Sequence, residues 1–224
     1  MAQLTLVAQI AFVLSWLIAG LWQGARYSAL SHSISDMYAV TAPAGMFLVV
    51  VITLCGLATV LFAALSVWPT LRRAGWPATV GSVLLGLSIY GLGDLLTPFE
   101  RLACRIADSG CSPAAQLANT GGMLDALLST VGILVFAAAA FFLAQALKRT
   151  PGWQDWAWPA RLVGLAFILI LVADLATSSL GFGGLMERVL AAFGAAAIGA
   201  LAWRISTRSE PQRPAVPETR SVIS

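Results

Sequence analysis

Residues 44–68, AGMFLVVVITLCGLATVLFAALSVW, carry no charged side chain. A helix needs about 20 apolar residues to cross roughly 30 Å of hydrocarbon at about 1.5 Å per residue, so this run reads as a transmembrane span. Its surroundings agree with that reading. Across all 224 residues, 59% are hydrophobic and 10% charged, far from the average of a soluble domain, and a length of this order accommodates six such spans with short loops.

Upstream of the run lies YSALSHSISDMYAVTAP, residues 27–43, a long polar insertion that holds the single histidine, His32, four residues before Asp36. Its end, Thr41-Ala42-Pro43, reads as an N-cap followed by proline in the first helical turn. The preceding segment, 5–24, has no charge before Arg26. It lacks the basic leader and small-residue cleavage site of a removable signal peptide, and is expected to stay in the protein. Downstream, apolar spans are expected at 77–97, 122–147, 160–180 and 185–205, followed by a Pro-, Ser- and Arg-rich tail, 206–224, expected to be disordered. Span three is rich in glycine, and Ala191, Ala195 and Gly199 of span six recur at four-residue spacing; both would allow close helix packing in lipid. Three tryptophans within 150–158 suit an interfacial turn. The fold class expected is therefore all-α, a polytopic six-transmembrane-helix bundle.

Threading the spans alternately places Arg72, Arg73, Lys148, Arg149, Arg161, Arg204, Arg208, Arg213 and Arg220 on one side and Arg26, Arg101, Arg105 and Arg188 on the other. By the positive-inside rule the first side is cytoplasmic, which puts the N- and C-termini inside. Asp36, Asp94, Glu100, Asp108, Asp125, Asp174 and Glu187 then fall at the outer side, leaving it acidic. The basic pI of about 9.1 is thus a property of the inner face against anionic lipid and no sign of nucleic-acid binding. Cys104 and Cys111 share an outer loop, where an oxidising compartment permits a disulfide. Cys55 lies mid-span and reads as a small buried residue.

The candidate ligand-binding residues are the outer acids with the polar loop: His32, Asp36, Asp94, Asp125, Asp174 and Glu187. An ionisable group within a span faces protein or water, because lipid makes it costly. Two readings compete. In one, hydroxyls a helical turn away (Thr97, Ser129, Thr177, Ser178) and neighbouring Arg101 or Arg188 satisfy carboxylates that fasten helix ends. In the other, the carboxylates share a partly dry pocket and hold a cation, a proton or a lipid headgroup. A short echo, Asp94-Leu95-Leu96-Thr97 against Asp174-Leu175-Ala176-Thr177, each followed by a Glu-Arg pair, fits a repeat of helical hairpins or chance alike.

The motif Ser31-His32-Ser33-Ile34-Ser35-Asp36, with Asp94 to Arg101, the cysteine loop and Leu124-Asp125, resembles a bacterial membrane family catalogued as domain of unknown function 998. The resemblance covers about residues 4–204 and implies a bundle of about six spans in the bacterial plasma membrane, with no established activity. Members often carry histidine beside the aspartate that opens span four, where this chain has Leu124, which weighs against a histidine-based metal site. With one histidine, and no G-x-S-x-G or C-x-x-C motif, no catalytic residue, metal ligand or cofactor is assigned. Three roles stay open: binding, transport-accessory or lipid handling; an outer-leaflet hydrolase using clustered carboxylates; and a non-catalytic structural or sensory protein. The partner expected in every case is the lipid bilayer.

Overall fold

The computed structural model describes residues 1–209, and every regular element among them is helical. The long helices are α1 (Ala2–Ala19), α2 (Gly45–Phe62), α3 (Trp76–Leu87), α4 (Thr120–Arg149), α5 (Ala157–Thr177) and α6 (Gly183–Ser209). Five helical stretches are long and apolar enough to cross a membrane: Ala2–Trp22, Gly45–Ala74, Thr120–Arg149, Gln154–Thr177 and Gly183–Arg208. A sixth crossing exists if α3 and the segment Ile89–Phe99, bent by 41° at their junction, count as one. The outward faces carry large apolar side chains such as Leu17, Leu54, Leu134, Leu169 and Trp203. Soluble monomers rarely expose such a continuous apolar surface, and a bilayer covers it without cost.

The break in the third span is the main departure from a bundle of straight helices. At Ser88 the backbone turns extended (ψ 174°), and the chain resumes as a π-turn over Ile89–Gly93. Glycines at 86, 91 and 93 lower the local helix propensity, so interrupting the helix costs little there. The freed polar groups are satisfied internally, as lipid requires. The Ser88 hydroxyl donates to the Leu85 carbonyl (2.7 Å), and the Ser88 carbonyl accepts from the N–H groups of Gly91 and Gly93 (3.0 and 3.2 Å). The resumed segment then crosses α2 so closely that a Cβ at Gly56 would run into the Asp94–Leu95 backbone.

Other boundaries shift for local reasons. Thr41 does not cap α2. Its hydroxyl bonds to Asp108 and accepts from the Arg105 N–H, while Ala44, in a left-handed conformation (φ 50°), precedes the helix. α4 starts two residues earlier than expected because the Asn119 side chain accepts from the Gly122 N–H (2.7 Å). α5 ends at Thr177, with Ser178–Leu180 forming a 3-10 turn. α6 continues four residues past its expected end at 205, into the segment expected to be disordered; the rest of that tail, 210–224, lies outside the described residues.

Packing follows chain order around a ring: α1 on α2, α2 on the broken third span, α3 on α4, α4 on α5, α5 on α6, and α6 back on α1. Small residues mediate the closure, with Ala195 and Ala202 of α6 buried and Gly199 against Leu6. At the basic end, Arg208 lies 4.5 Å from the Trp153 ring and Arg204 pairs with Asp155 (3.1 Å) and stacks on Trp156. Of the three tryptophans there, Trp153 is buried and Trp158 exposed, so the turn is fastened to α6 as well as facing outward.

Candidate functional site

The end opposite the basic turns is covered by two polar segments, 23–43 and 100–119. Neither has long helices to satisfy its backbone, and unpaired carbonyls are costly when buried. Three arginines supply the donors. Arg188, on α6 and only 8% exposed, donates to the carbonyls of Ala29 (3.0 Å), His32 (2.7 Å) and Gly184 (2.7 Å), and to the Tyr27 hydroxyl. Its guanidinium also lies 5.9 Å from the ring centres of Trp16 and Tyr27. Arg101 donates to the carbonyls of Tyr38 and Ala39, each at 2.9 Å. Arg105 donates to the Gln23 carbonyl (3.0 Å) and pairs with Asp108 (2.6 Å). That pairing holds the Asp108 carboxyl below its usual range. A planar five-donor fork suits this task in a way lysine does not.

Further ties fix the roof. The Glu187 carboxylate accepts from the Ile34 N–H (3.1 Å), and a Cβ on Gly184 would collide with the His32 backbone. Asp36, 1% exposed, accepts from the Ile106 N–H (3.1 Å) and the Gln116 amide (2.7 Å), so it clips one polar segment to the other. Burial raises the Asp36 carboxyl above its ordinary range, opposed by the Ile106 bond. Cys104 and Cys111 form a disulfide, with Cα atoms 6.0 Å apart, that closes the loop carrying Arg105 and Asp108. Cys55 is buried and its thiol donates to the Ala8 carbonyl (3.1 Å).

Beneath this roof is a cavity of about 520 Å³, within the size range of small-molecule sites. Its upper lining includes Ser33, Ser35, Tyr38 and Gln116 from the roof; its lower lining is apolar, with Phe12, Ile52, Ile89, Ile133 and Leu190. Tyr90 packs against Phe12, Phe136 and Phe167 at centroid distances of 6.2, 4.8 and 6.4 Å, and its hydroxyl donates to the Leu190 carbonyl (2.9 Å). This aromatic cluster forms the floor.

Four of the six residues picked out from the sequence line the cavity: Asp94 from the broken span, Asp125 from α4, Asp174 from α5 and Glu187 from α6. His32 and Asp36 do not. They belong to the roof, where the His32 Nδ1 accepts from the Ser28 N–H (3.2 Å) and its ring rests on Tyr27. Asp125 accepts from the Tyr38 hydroxyl (3.3 Å). Asp94 is 9% exposed, and neither its carboxylate nor that of Asp174 receives a hydrogen bond from any described residue. The hydroxyls expected to satisfy them are used otherwise: Thr97 donates to the Asp94 main-chain carbonyl (2.7 Å) and Thr177 to that of Ala173 (2.8 Å). Ser129 faces the cavity, and the side chain of Ser178 lies outside the described residues. Arg101 and Arg188, also expected as partners of the acids, are occupied by loop carbonyls.

Glu100 adds to this acidity and was not singled out by its position. It is 2% exposed, with an unpartnered Oε1, because the 3-10 turn Thr97–Phe99 folds it back under the roof. Burial, and then the nearby Asp125, push its carboxyl up to about 8. Charge alone offered no signal distinguishing it from Asp108, which is solvated and paired. Among the described residues no three His, Cys, Asp or Glu side chains are grouped closely enough to hold a metal ion. The clefts between α2 and α3 and between α1 and α6 are lined almost wholly by apolar residues, while a smaller one at the basic end carries Gln3, Ser66, Thr70 and Ser206. In comparison with known proteins, the chain matches no family model, no curated protein and no solved structure.

Proposed function

We propose that this is a six-span protein of a bacterial plasma membrane, with both termini cytoplasmic, whose outward-facing cavity binds a ligand carrying a cationic group. The third span crosses in two pieces, and the basic turns face the cytoplasm, as the positive-inside rule favours. The disulfide on the acidic side suits an oxidising exterior. Membership of the family catalogued as domain of unknown function 998, suggested by Ser31–Asp36 and Asp94–Arg101, belongs to the same proposal.

One observation carries the binding role: four carboxylates from four different helical segments converge on one cavity, while the arginines nearby serve the roof. An uncompensated carboxylate in a poorly hydrated site costs free energy, and a cationic or hydrogen-bond-donating partner offsets it. The aromatic floor below Tyr90 favours binding at the outer side over passage across the membrane.

The test is native mass spectrometry of the protein purified in a neutral detergent, comparing wild type with Asp94→Asn and Asp174→Asn. A cationic small molecule or lipid retained by wild type and lost from both variants supports the reading. Identical bound content in all three proteins refutes it.

A further inference from the structure

The walls of the cavity are unequal. α4 and α5 bury side chains against each other mainly in the halves nearer the basic end, where Gly164 of α5 meets Phe141 and Ala140, and Phe167 meets Phe136 at 4.7 Å, around an apolar pocket of about 250 Å³ that Leu143, Val163 and Leu201 also line. The buried residues of α5 are Ala157, Gly164 and Phe167, and none follows before Thr177. On α4 the dense run of buried residues begins at Phe136; nearer the acidic end only Gly122, Asp125 and Gly132 are buried. α5 contributes a single residue to the cavity, Asp174, and that residue is half-buried. Opposite it, Ser129 and Ile133 of α4 line the cavity while remaining partly exposed. The roof is held by three arginine clamps, the floor is the Tyr90 cluster, and α1 packs on α2 and α6.

We infer that the cavity opens sideways, between the acidic-end halves of α4 and α5, into one leaflet of the bilayer, and that it takes an amphiphile with an amine headgroup whose alkyl chain stays in that cleft. This rests on the proposed binding of a cationic group and adds the route and the tail. Two features favour an amphiphile over a soluble amine. The unpartnered, nine-tenths-buried Asp94 and the half-buried Asp174 line the same cavity, and Asp174 is the residue that α5 presents to it. The outward face beyond the mouth is mainly apolar, with Leu127, Leu134, Leu169 and Val172 exposed and the exposed Thr130 hydroxyl bonded to the Ala126 carbonyl, so a chain leaving the cavity there meets lipid-like surroundings. Each CH₂ moved out of water contributes about 0.8 kcal/mol, roughly a fourfold gain in partitioning per methylene, so an alkyl chain concentrates the amine in the leaflet from which the cavity is entered.

The experiment uses the full chain in phosphatidylcholine nanodiscs with two probes, ethylamine and a dodecylamine bearing a chain-end diazirine. Thermal stabilisation reports ethylamine binding, and mass spectrometry maps the photo-adducts. The inference expects adducts concentrated on α4 residues 128–135 and α5 residues 168–175. It also expects Leu171→Trp, which adds bulk one helical turn from Asp174 at a partly buried position outside the cavity lining, to cut them about tenfold while leaving the ethylamine shift intact. Adducts spread evenly over the lipid-facing residues of all helices, or equal loss of both probes in Leu171→Trp, would overturn it. The adduct map in wild type decides the matter even if that variant does not fold. If Asp94→Asn and Asp174→Asn leave both probes unaffected, the binding role itself fails; if they abolish the ethylamine shift while the adducts stay scattered, only the lateral route fails.

Discussion

Replacing Arg188 by methionine keeps a long, flexible side chain and removes the guanidinium that holds the roof. Three carbonyls, of Ala29, His32 and Gly184, lose a charged donor, as does the Tyr27 hydroxyl. Hydrogen bonds to charged groups contribute about 1.5–3 kcal/mol each, and a buried acceptor left unpaired costs about 1–3 kcal/mol. The Gly184 carbonyl, being helical, keeps the shared bonding of its own helix, so the Ala29 and His32 carbonyls dominate. These terms are not additive within one network, and removing one partner of a buried charged cluster costs about 3–5 kcal/mol. At about 2–4 °C per kcal/mol for a chain of this size, Arg188→Met should melt roughly 10 °C below wild type. Lysine, which retains the charge without the planar fork, should fall between the two. Thermal unfolding in a mild detergent, followed by thiol reactivity of buried Cys55, reads the effect directly. A shift for Arg188→Met of no more than about 2 °C would mean that the roof is held by its other ties, and that the arginines at this end are not committed to loop carbonyls.

Three further outcomes are expected. Glu100 has a carboxyl raised to about 8, so the folded state holds a proton that the unfolded state releases near 4.5; stability should fall as pH rises from about 4.5 to about 8, and Glu100→Gln should flatten that slope in a pH series of melting curves. Reducing the Cys104–Cys111 bridge, whose residues are seven apart in sequence, should lower stability by about 2–3 kcal/mol on loop-entropy grounds; melts with and without reductant, with Cys104→Ser/Cys111→Ser as control, will show it, and an unchanged melt in both would rule it out. Gly56→Leu should destabilise by about 1–3 kcal/mol or more, because the added side chain meets the Asp94–Leu95 backbone, which cannot rotate away; wild-type thermal stability in this variant would show that the crossing is looser than described.

Much of the architecture was legible along the chain. Runs such as 44–68 and 122–147 announce helices by length and apolarity alone, since backbone hydrogen bonds must close internally in lipid whatever the neighbours are. The grouping of Asp94, Asp125, Asp174 and Glu187 at one end was likewise readable, because alternate threading places their positions together before any contact is known. The break at Ser88 was not legible. The glycines around it suggested close packing, but helix interruption depends on whether α2 and α4 leave room for the displaced segment.

What the sequence by itself determined is the solvent of this protein and the end at which its acids collect, because both follow from local composition. Which charged groups face one another was decided only by the tertiary structure. Glu100-Arg101 and Glu187-Arg188 look like ready-made ion pairs on paper. In the fold both arginines turn to the carbonyls of the 27–43 loop, Glu187 accepts from the Ile34 N–H, and Glu100 is buried without a partner at Oε1. An irregular roof leaves backbone acceptors that must be satisfied, and the arginines that satisfy them leave the carboxylates of Asp94 and Asp174 facing the cavity.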